Sequence, residues 1–348
     1  MTNAETLGVL PSGSPLTIGG LTLAGRAFLA PMAGVTDAAM GRVAERFGAG
    51  ATFSEMITAA GVSRGDRETR LRLAGAEESQ AAPRAIQIAA RDPDGIALAA
   101  RHAADSGARW IDINMGCPCK RVTGGLAGSA LMRDLDQASR LIAATVSAVD
   151  IPVSVKMRLG WDHASLNAPE LARRAEAEGA TLVTVHGRTR QQFYNGSADW
   201  AAIKAVKQAV RIPVVANGDC DSPEAAREML RLSGADAVMV GRAAIGRPWL
   251  VGDIAYYLAV GQLRPPPSRQ ERGALALEHL ESLIAAMGQG PGLRHARKHL
   301  AAYADHGGIG RREEERAPRR ALVVSDEPRE VRRLIERLFA IPEREEAA

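Results

Sequence analysis

From Phe28 to about Gly246 the chain repeats one unit, a short and nearly continuous apolar run followed by a longer amphipathic stretch. The runs are FLAPMAG (28–34), ATFSEMI (51–57), RAIQIAA (84–90), WIDINMG (110–116), PVSVKMR (152–158), LVTVHGR (182–188), PVVANGD (213–219) and AVMVGRA (237–243). A strand that is apolar on both faces must be covered on both faces, the condition of a parallel sheet wrapped by helices. The stretches between, such as DLDQASRLIAATVSAV and SPEAAREMLRLSG, have helical periodicity, and many end at a glycine just before the next run. Eight such units in roughly 220 residues predict an α/β fold, a (β/α)8 TIM barrel. A doubly wound open sheet is the competing arrangement, and the count of eight favours closure. Upstream, LTIGGLTLAGR reads as a short hairpin around Gly19-Gly20, placed to cap the bottom of the barrel.

After Trp249 the rhythm changes. RPPPS (264–268) is a linker or helix-start signal, and beyond it only helical patterns remain. The predicted organisation is a barrel with its hairpin over 1–260 and an all-helical domain over 261–348. Within the latter, cations cluster in RHARKH (294–299), and the charge-mixed segment 307–325 predicts a mobile or poorly packed loop. Hydrophobic residues at 46% and charged residues at 24% exclude wholesale disorder. Three cysteines exclude a disulfide scaffold and suit a reducing, cytoplasmic compartment. No apolar run approaches the ~20 residues of a membrane span, and the first residues lack the pattern of a signal peptide. A net charge of +4 is compatible with a nucleic-acid partner and does not require one. A monomer is the expected state.

In a barrel of this kind the active site forms at the carboxyl ends of the strands. Polar residues gather there: Glu55, Gln87, Asn114, Cys117, Lys156, Arg158, His186, Arg188, Asn217, Asp219 and Arg242. Gly218, Gly241 and Gly246, with Arg242, follow the last two runs, where barrels bind phosphate through backbone amides. They predict a phosphate-bearing cofactor. Lys156 ends the alternating run PVSVK, so its ammonium either snorkels outward or meets an anion. It could stabilise a reduced flavin or form a Schiff base, and the residues leave both open. Cys117 is presented from a turn between Gly116 and Pro118 and can donate a proton or act as a nucleophile. Cys117 and Cys119 are one residue apart and there is no CxxC pair, so no metal site is predicted.

Taken together and in order, LAPMAGVTD (29–37), SEM (54–56), DINMGCP (112–118), LAGSALMRDL (126–135), VKMR (155–158), VHGRTR (185–190), ANGD (216–219), GRAAIGRPW (241–249) and ARKHLAAY (296–303) resemble the tRNA-dihydrouridine synthase family, its bacterial DusB-like branch most closely. The resemblance runs from about residue 16 to 303. It implies an FMN-dependent enzyme that reduces the carbon 5–carbon 6 double bond of selected uridines in tRNA with NADPH as reductant. Cys117 then corresponds to the proton donor. Pro31, Met32, Ala33, Gln87 and Lys156 would line the flavin. Asn217, Gly218, Asp219, Gly241 and Arg242 would hold its ribityl-phosphate end, with His186 close by. Asn114, Arg158 and Arg188 fall on the substrate side, and the helical domain would grip tRNA. Two other readings stay open at this level: an FMN barrel reducing a small pyrimidine or enone, and a non-catalytic RNA binder using the barrel as scaffold.

Overall fold

The computed structural model describes residues 15–73 and 82–340. The N-terminal segment read for a targeting signal lies outside them, apart from Pro15. The strands are β1 Leu16–Ile18, β2 Leu21–Leu23, β3 Ala27–Leu29, β4 Ala51–Phe53, β5 Ile57–Thr58, β6 Arg84–Ala89, β7 Ile111–Met115, β8 Val153–Arg158, β9 Leu182–His186, β10 Val214–Asn217 and β11 Ala237–Val240. β1 and β2 form the expected antiparallel hairpin. The others pair in parallel around a ring, β3-β4-β6-β7-β8-β9-β10-β11 and back to β3, which closes an eight-stranded barrel. The run ATFSEMI is the one that breaks: β4 and β5 are separate short strands, and both pair with β6.

Burial explains why the runs read as they do. Every residue of β3, β4, β6, β7, β9, β10 and β11 is buried, because helices cover the outside and side chains fill the inside. Three of the thirteen aromatic residues meet in one cluster. Phe53 packs edge-on against Trp110 at 4.9 Å between ring centres, and Phe28 meets both at 6.4 Å. Leu16, Ile18 and Leu23 of the hairpin join this cluster. Each such buried side chain contributes ~1.5–3 kcal/mol. The bottom of the barrel is therefore an apolar plug. Helix starts are fixed by side chains accepting from the first turn, as Asp37 from Met40, Asp92 from Gly95, Asp134 from Gln137 and Ser222 from Ala225.

The chain divides into two compact units, one running through Ala243 with Trp249–Leu263, the other combining Ala244–Pro248 with the residues from Arg264 onward. The second unit is helical, with helices at Arg269–Met287, Gln289–His306, Glu313–Val324 and Pro328–Ala340. The first of these opens with a reciprocal Ser268–Glu271 capping box.

One expectation is corrected. Segment 307–325 contains a helix, Glu313–Val324, that continues through Pro318. The carboxylate of Glu315 is buried against Arg269 at 2.6 Å and accepts from the Gly310 amide, which gives this charge-dense stretch a fixed place. Gly246 belongs to the helical unit. A Cβ there would collide with the Ala302 backbone, so it serves close packing of the chain against Gln289–His306.

Candidate active site

The register of the barrel sets the layer at its open end. Asn114 lies beside Lys156, Lys156 beside Thr184, Arg158 beside His186, and His186 beside Asn217. Adjacent strands thus bring chemically different side chains onto one inward-facing floor.

Below that floor, burial forces a polar network to be complete. Asp112, fully buried in β7, accepts from Gln87 Nε2 at 2.7 Å and from Ser154 Oγ at 2.6 Å. Trp110 Nε1 donates to Ser154 Oγ. The Gln87 Oε1 atom accepts from Asn114 Nδ2 at 2.8 Å, and Asn114 Oδ1 accepts from the backbone amides of Cys117 at 2.9 Å and Gly116 at 3.2 Å. Every bond in this chain donates toward the Asp112 carboxylate. That anion thereby decides which way the amides of Gln87 and Asn114 face. Burial pushes the Asp112 carboxyl above its ordinary value, while the Ser154 and Gln87 bonds and the Lys156 charge pull it back.

The turn bearing Cys117 is held at both ends. Its carbonyl accepts from the Ser129 amide at 3.1 Å and hydroxyl at 2.9 Å. Gly128 makes this approach possible: its φ is +60°, and a Cβ would lie 2.9 Å from the Cys117 carbonyl oxygen. The Cys117 thiol is partly buried, and burial raises its pKa. It is therefore protonated at neutral pH and able to act as an acid.

Lys156 Nζ donates to Asn217 Oδ1 at 2.9 Å, and Asn217 Nδ2 donates to the Met239 carbonyl at 2.8 Å, which fixes the amide's direction. Among the described residues no carboxylate lies within ion-pair distance of Nζ. Burial, with Arg158 adding to it, lowers the pKa of this ammonium. His186 is buried and held well below its ordinary pKa, first by burial and then by Lys156, Arg158, Arg188 and Arg242, so it is a neutral imidazole.

Arg158 and Arg188 are each 2% exposed. Arg158 spans two loops, donating to the carbonyls of Gly116 in one and of Thr189 and Phe193 in the other, at 2.8, 2.8 and 2.9 Å. Arg188 grips Asp219 with two nitrogens, at 2.9 and 2.7 Å, and donates to the carbonyls of Asn195 and Gly196. Asp219, at a φ of +56°, also accepts from the Ala198 amide and lies 3.3 Å from Arg242. Arg242 itself is exposed and stands 4.8 Å over the ring of Tyr194. Gly218 has a φ of +116°, and a Cβ there would come 2.8 Å from the His186 ring. A Cβ on Gly241 would find nothing nearer than Met32 Sδ at 3.8 Å. Pro31 and Met32 are half-buried and Ala33 is exposed.

The sequence reading missed Asp112, Ser154 and Tyr194. For Asp112 a signal existed: a carboxylate in the middle of WIDINMG has no place in a strand buried on both faces unless donors surround it. Tyr194 carries no such signal, since only the fold brings it under Arg242.

The closed ring of parallel strands, with charged side chains gathered at one end, defines a (β/α)8 barrel. Residues 28–334 match the family described as dihydrouridine synthase (Dus), and the chain belongs to that family. It is an enzyme of the flavin-dependent oxidoreductase class. The chain is 47% identical over 313 residues to a "Probable tRNA-dihydrouridine synthase" of Rhizobium leguminosarum bv. phaseoli, covering 89% of this chain and 94% of that one. It is 50% identical over 292 residues to tRNA-dihydrouridine synthase B of Xanthomonas campestris pv. campestris, covering 84% and 87%. Among solved structures, histamine dehydrogenase from Rhizobium sp. 4-9 matches with a TM-score of 0.56 at 15% identity, over 77% of this chain and 50% of that one. That likeness concerns the fold alone. Among the described residues no helix is long and apolar enough to cross a membrane.

Proposed function

We propose that this protein is a tRNA-dihydrouridine synthase of the B type, reducing specific uridines in tRNA to 5,6-dihydrouridine with FMN as resident cofactor and NADPH as reductant. The observation that carries the reading is the presence, in one barrel mouth, of a buried ammonium without a carboxylate partner and a thiol that stays protonated at neutral pH. The first calls for an anion and the second for a proton acceptor.

The residues present fit FMN. Four cations act on the neutral His186, and the carboxylate that meets Arg188 and Arg242 is Asp219. The bare backbone of Gly241 beside Met32 and the exposed guanidinium of Arg242 suit a phosphate, with Asn217, Gly218 and Asp219 framing it. Asp219 orients Arg242 there. Pro31, Met32, Ala33 and Gln87 would line the ring system, and Lys156 would face its electron-rich edge. When bound, FMN supplies the hydride that reaches carbon 6 of uracil. Cys117 delivers a proton to carbon 5, and the Asp112–Gln87–Asn114 chain holds the turn that aims it. Asn114, at the end of that chain, is the amide nearest the substrate side. Arg158 and Arg188 act on the substrate through the loops they hold, since their donors are committed to carbonyls and Asp219. A target uridine must leave the RNA stack to reach this depth, and the helical unit with its RHARKH cluster would orient the tRNA.

Wild-type protein and Cys117→Ala should both be yellow, with equal flavin absorbance. Mass spectrometry of tRNA incubated with NADPH should find dihydrouridine formed ~10²-fold or more slowly by the variant. A colourless wild type that refuses added FMN, or a fully active variant, overturns the proposal.

A further inference from the structure

A second cationic group lies on the rim, outside the residues that frame the cofactor. Trp161, in the loop after β8, has two guanidiniums against its ring: Arg133 at 4.9 Å and Arg190 at 4.8 Å from the ring centre. Arg190 is also 4.7 Å from the centre of Phe193. The two loops are stitched by backbone bonds, from the Arg190 amide to the Gly160 carbonyl and from the Gln191 amide to the Trp161 carbonyl, each 2.9 Å. The platform is thus fixed rather than flexible. Arg190 Nη2 reaches to 3.5 Å of the Pro118 carbonyl, one residue from Cys117.

The charges of this group are uncompensated. Among the described residues no carboxylate lies within 4 Å of Arg133 or Arg190, and Arg190 Nε is buried without a hydrogen-bond partner. The acids next in sequence are turned elsewhere: Asp134 accepts from the Gln137 amide, and Asp162 accepts from Ser165 and the Ala164 amide. Guanidiniums stacked on an indole keep their planar forks pre-organised and are weakly hydrated, the state in which arginine binds phosphate best. With guanidiniums against the indole, the group presents charged N–H donors, and its uncompensated positive charge favours an oxyanion as ligand.

We propose that Arg133 and Arg190, clamped on Trp161, form a phosphodiester-binding subsite that holds the RNA backbone beside the nucleotide presented to Cys117. The inference rests on the dihydrouridine reading and deepens it. A base brought to Cys117 carries its own flanking phosphates to the rim, and this pair is uncompensated positive charge beside the Cys117 turn, outside the cations assigned to the cofactor. The 2′-phosphate or pyrophosphate of NADPH has the same oxyanion chemistry, and the test separates the two sources.

The test measures binding of an unmodified tRNA transcript to flavin-loaded wild type, Arg133→Gln and Arg190→Gln, between 50 and 200 mM salt (on the order of the range where counterion release is read). Arg133 is exposed, so its variant folds; Arg190→Lys, which keeps the charge, serves beside Arg190→Gln. Each Gln variant should bind several-fold more weakly and lower the slope of log affinity against log salt by roughly one unit. Arg190→Lys should keep most of the slope. Flavin content and the rate of flavin bleaching by NADPH should match wild type in Arg133→Gln. Wild-type slopes in both Gln variants overturn the subsite and leave the dihydrouridine reading standing. A raised KM for NADPH with an unchanged tRNA slope assigns the oxyanion to the dinucleotide and overturns it as well. A wild type without affinity for tRNA overturns the dihydrouridine reading itself, and the subsite with it.

Discussion

Asp112→Asn tests the buried anion on which the amide chain ends. The two side chains have the same shape. At a pH low enough for Asp112 to be protonated in the fold, the neutral carboxyl offers a donor and a carbonyl acceptor on its two arms, as a carboxamide does, the carboxamide adding one further N–H. Gln87 Nε2 can then still donate to an oxygen at position 112 and Ser154 can accept. Wild type and variant should therefore be nearly equally stable in acid. They diverge as pH rises. Burial raises the carboxyl's pKa in the fold, so between its unfolded value of ~3.9 and the higher folded value the native state binds the proton more tightly. The stability this group contributes is fully present below ~3.9 and is lost as pH climbs toward the folded value, by at most ~1.4 kcal/mol per pH unit. The carboxamide of the variant does not titrate and has no such loss. Urea midpoints taken near pH 4.5 and 7 (on the order of one point inside the window and one above it) should give a variant that matches wild type in acid and exceeds it at neutrality. Subtracting the two proteins cancels groups common to both, such as His186. A gap that is constant with pH, or that favours wild type more at neutrality, refutes the account. Turnover should move the other way, falling in the variant, because a carboxamide no longer dictates the direction of the Gln87 and Asn114 amides.

Arg188→Lys removes the two-pronged grip on Asp219 and the bonds to the Asn195 and Gly196 carbonyls, and should cost ~1–3 kcal/mol in chemical denaturation; a loss within ~0.5 kcal/mol of zero would show that these contacts do not hold the loop. Gly218→Ala combines a left-handed φ with a Cβ against His186 and Ala198, and it should lower both the melting temperature and flavin retention. An alanine variant with wild-type melting and full flavin content would mean that the backbone there is free to relax.

The barrel was legible because its physics leaves a coarse trace. Strands covered on both faces, such as Ala237–Val240 with no exposed residue, read as unbroken apolar runs, and the polar residues that interrupt them cluster at one end. The break between β4 and β5 left no trace, since ATFSEMI is apolar on either side of it and only pairing with β6 separates the pieces. The Glu313–Val324 helix was hidden for the opposite reason. EEERAPRR has the composition of a loop, and the Arg269 partner that anchors Glu315 is 46 residues away. At the site, the sequence located Arg158 and Arg188 but not the direction of their donors. Spacing along a strand shows which face a side chain takes; it carries nothing about carbonyls contributed by other loops.

Arg158 has a consequence beyond the chemistry. By joining the carbonyls of Gly116, Thr189 and Phe193, one guanidinium makes two separate loops a single mechanical part. An insertion or deletion in the 189–193 stretch would be transmitted to the residue next to Cys117, so natural variation in length should be shed onto other surface connections, while these loops keep step with one another.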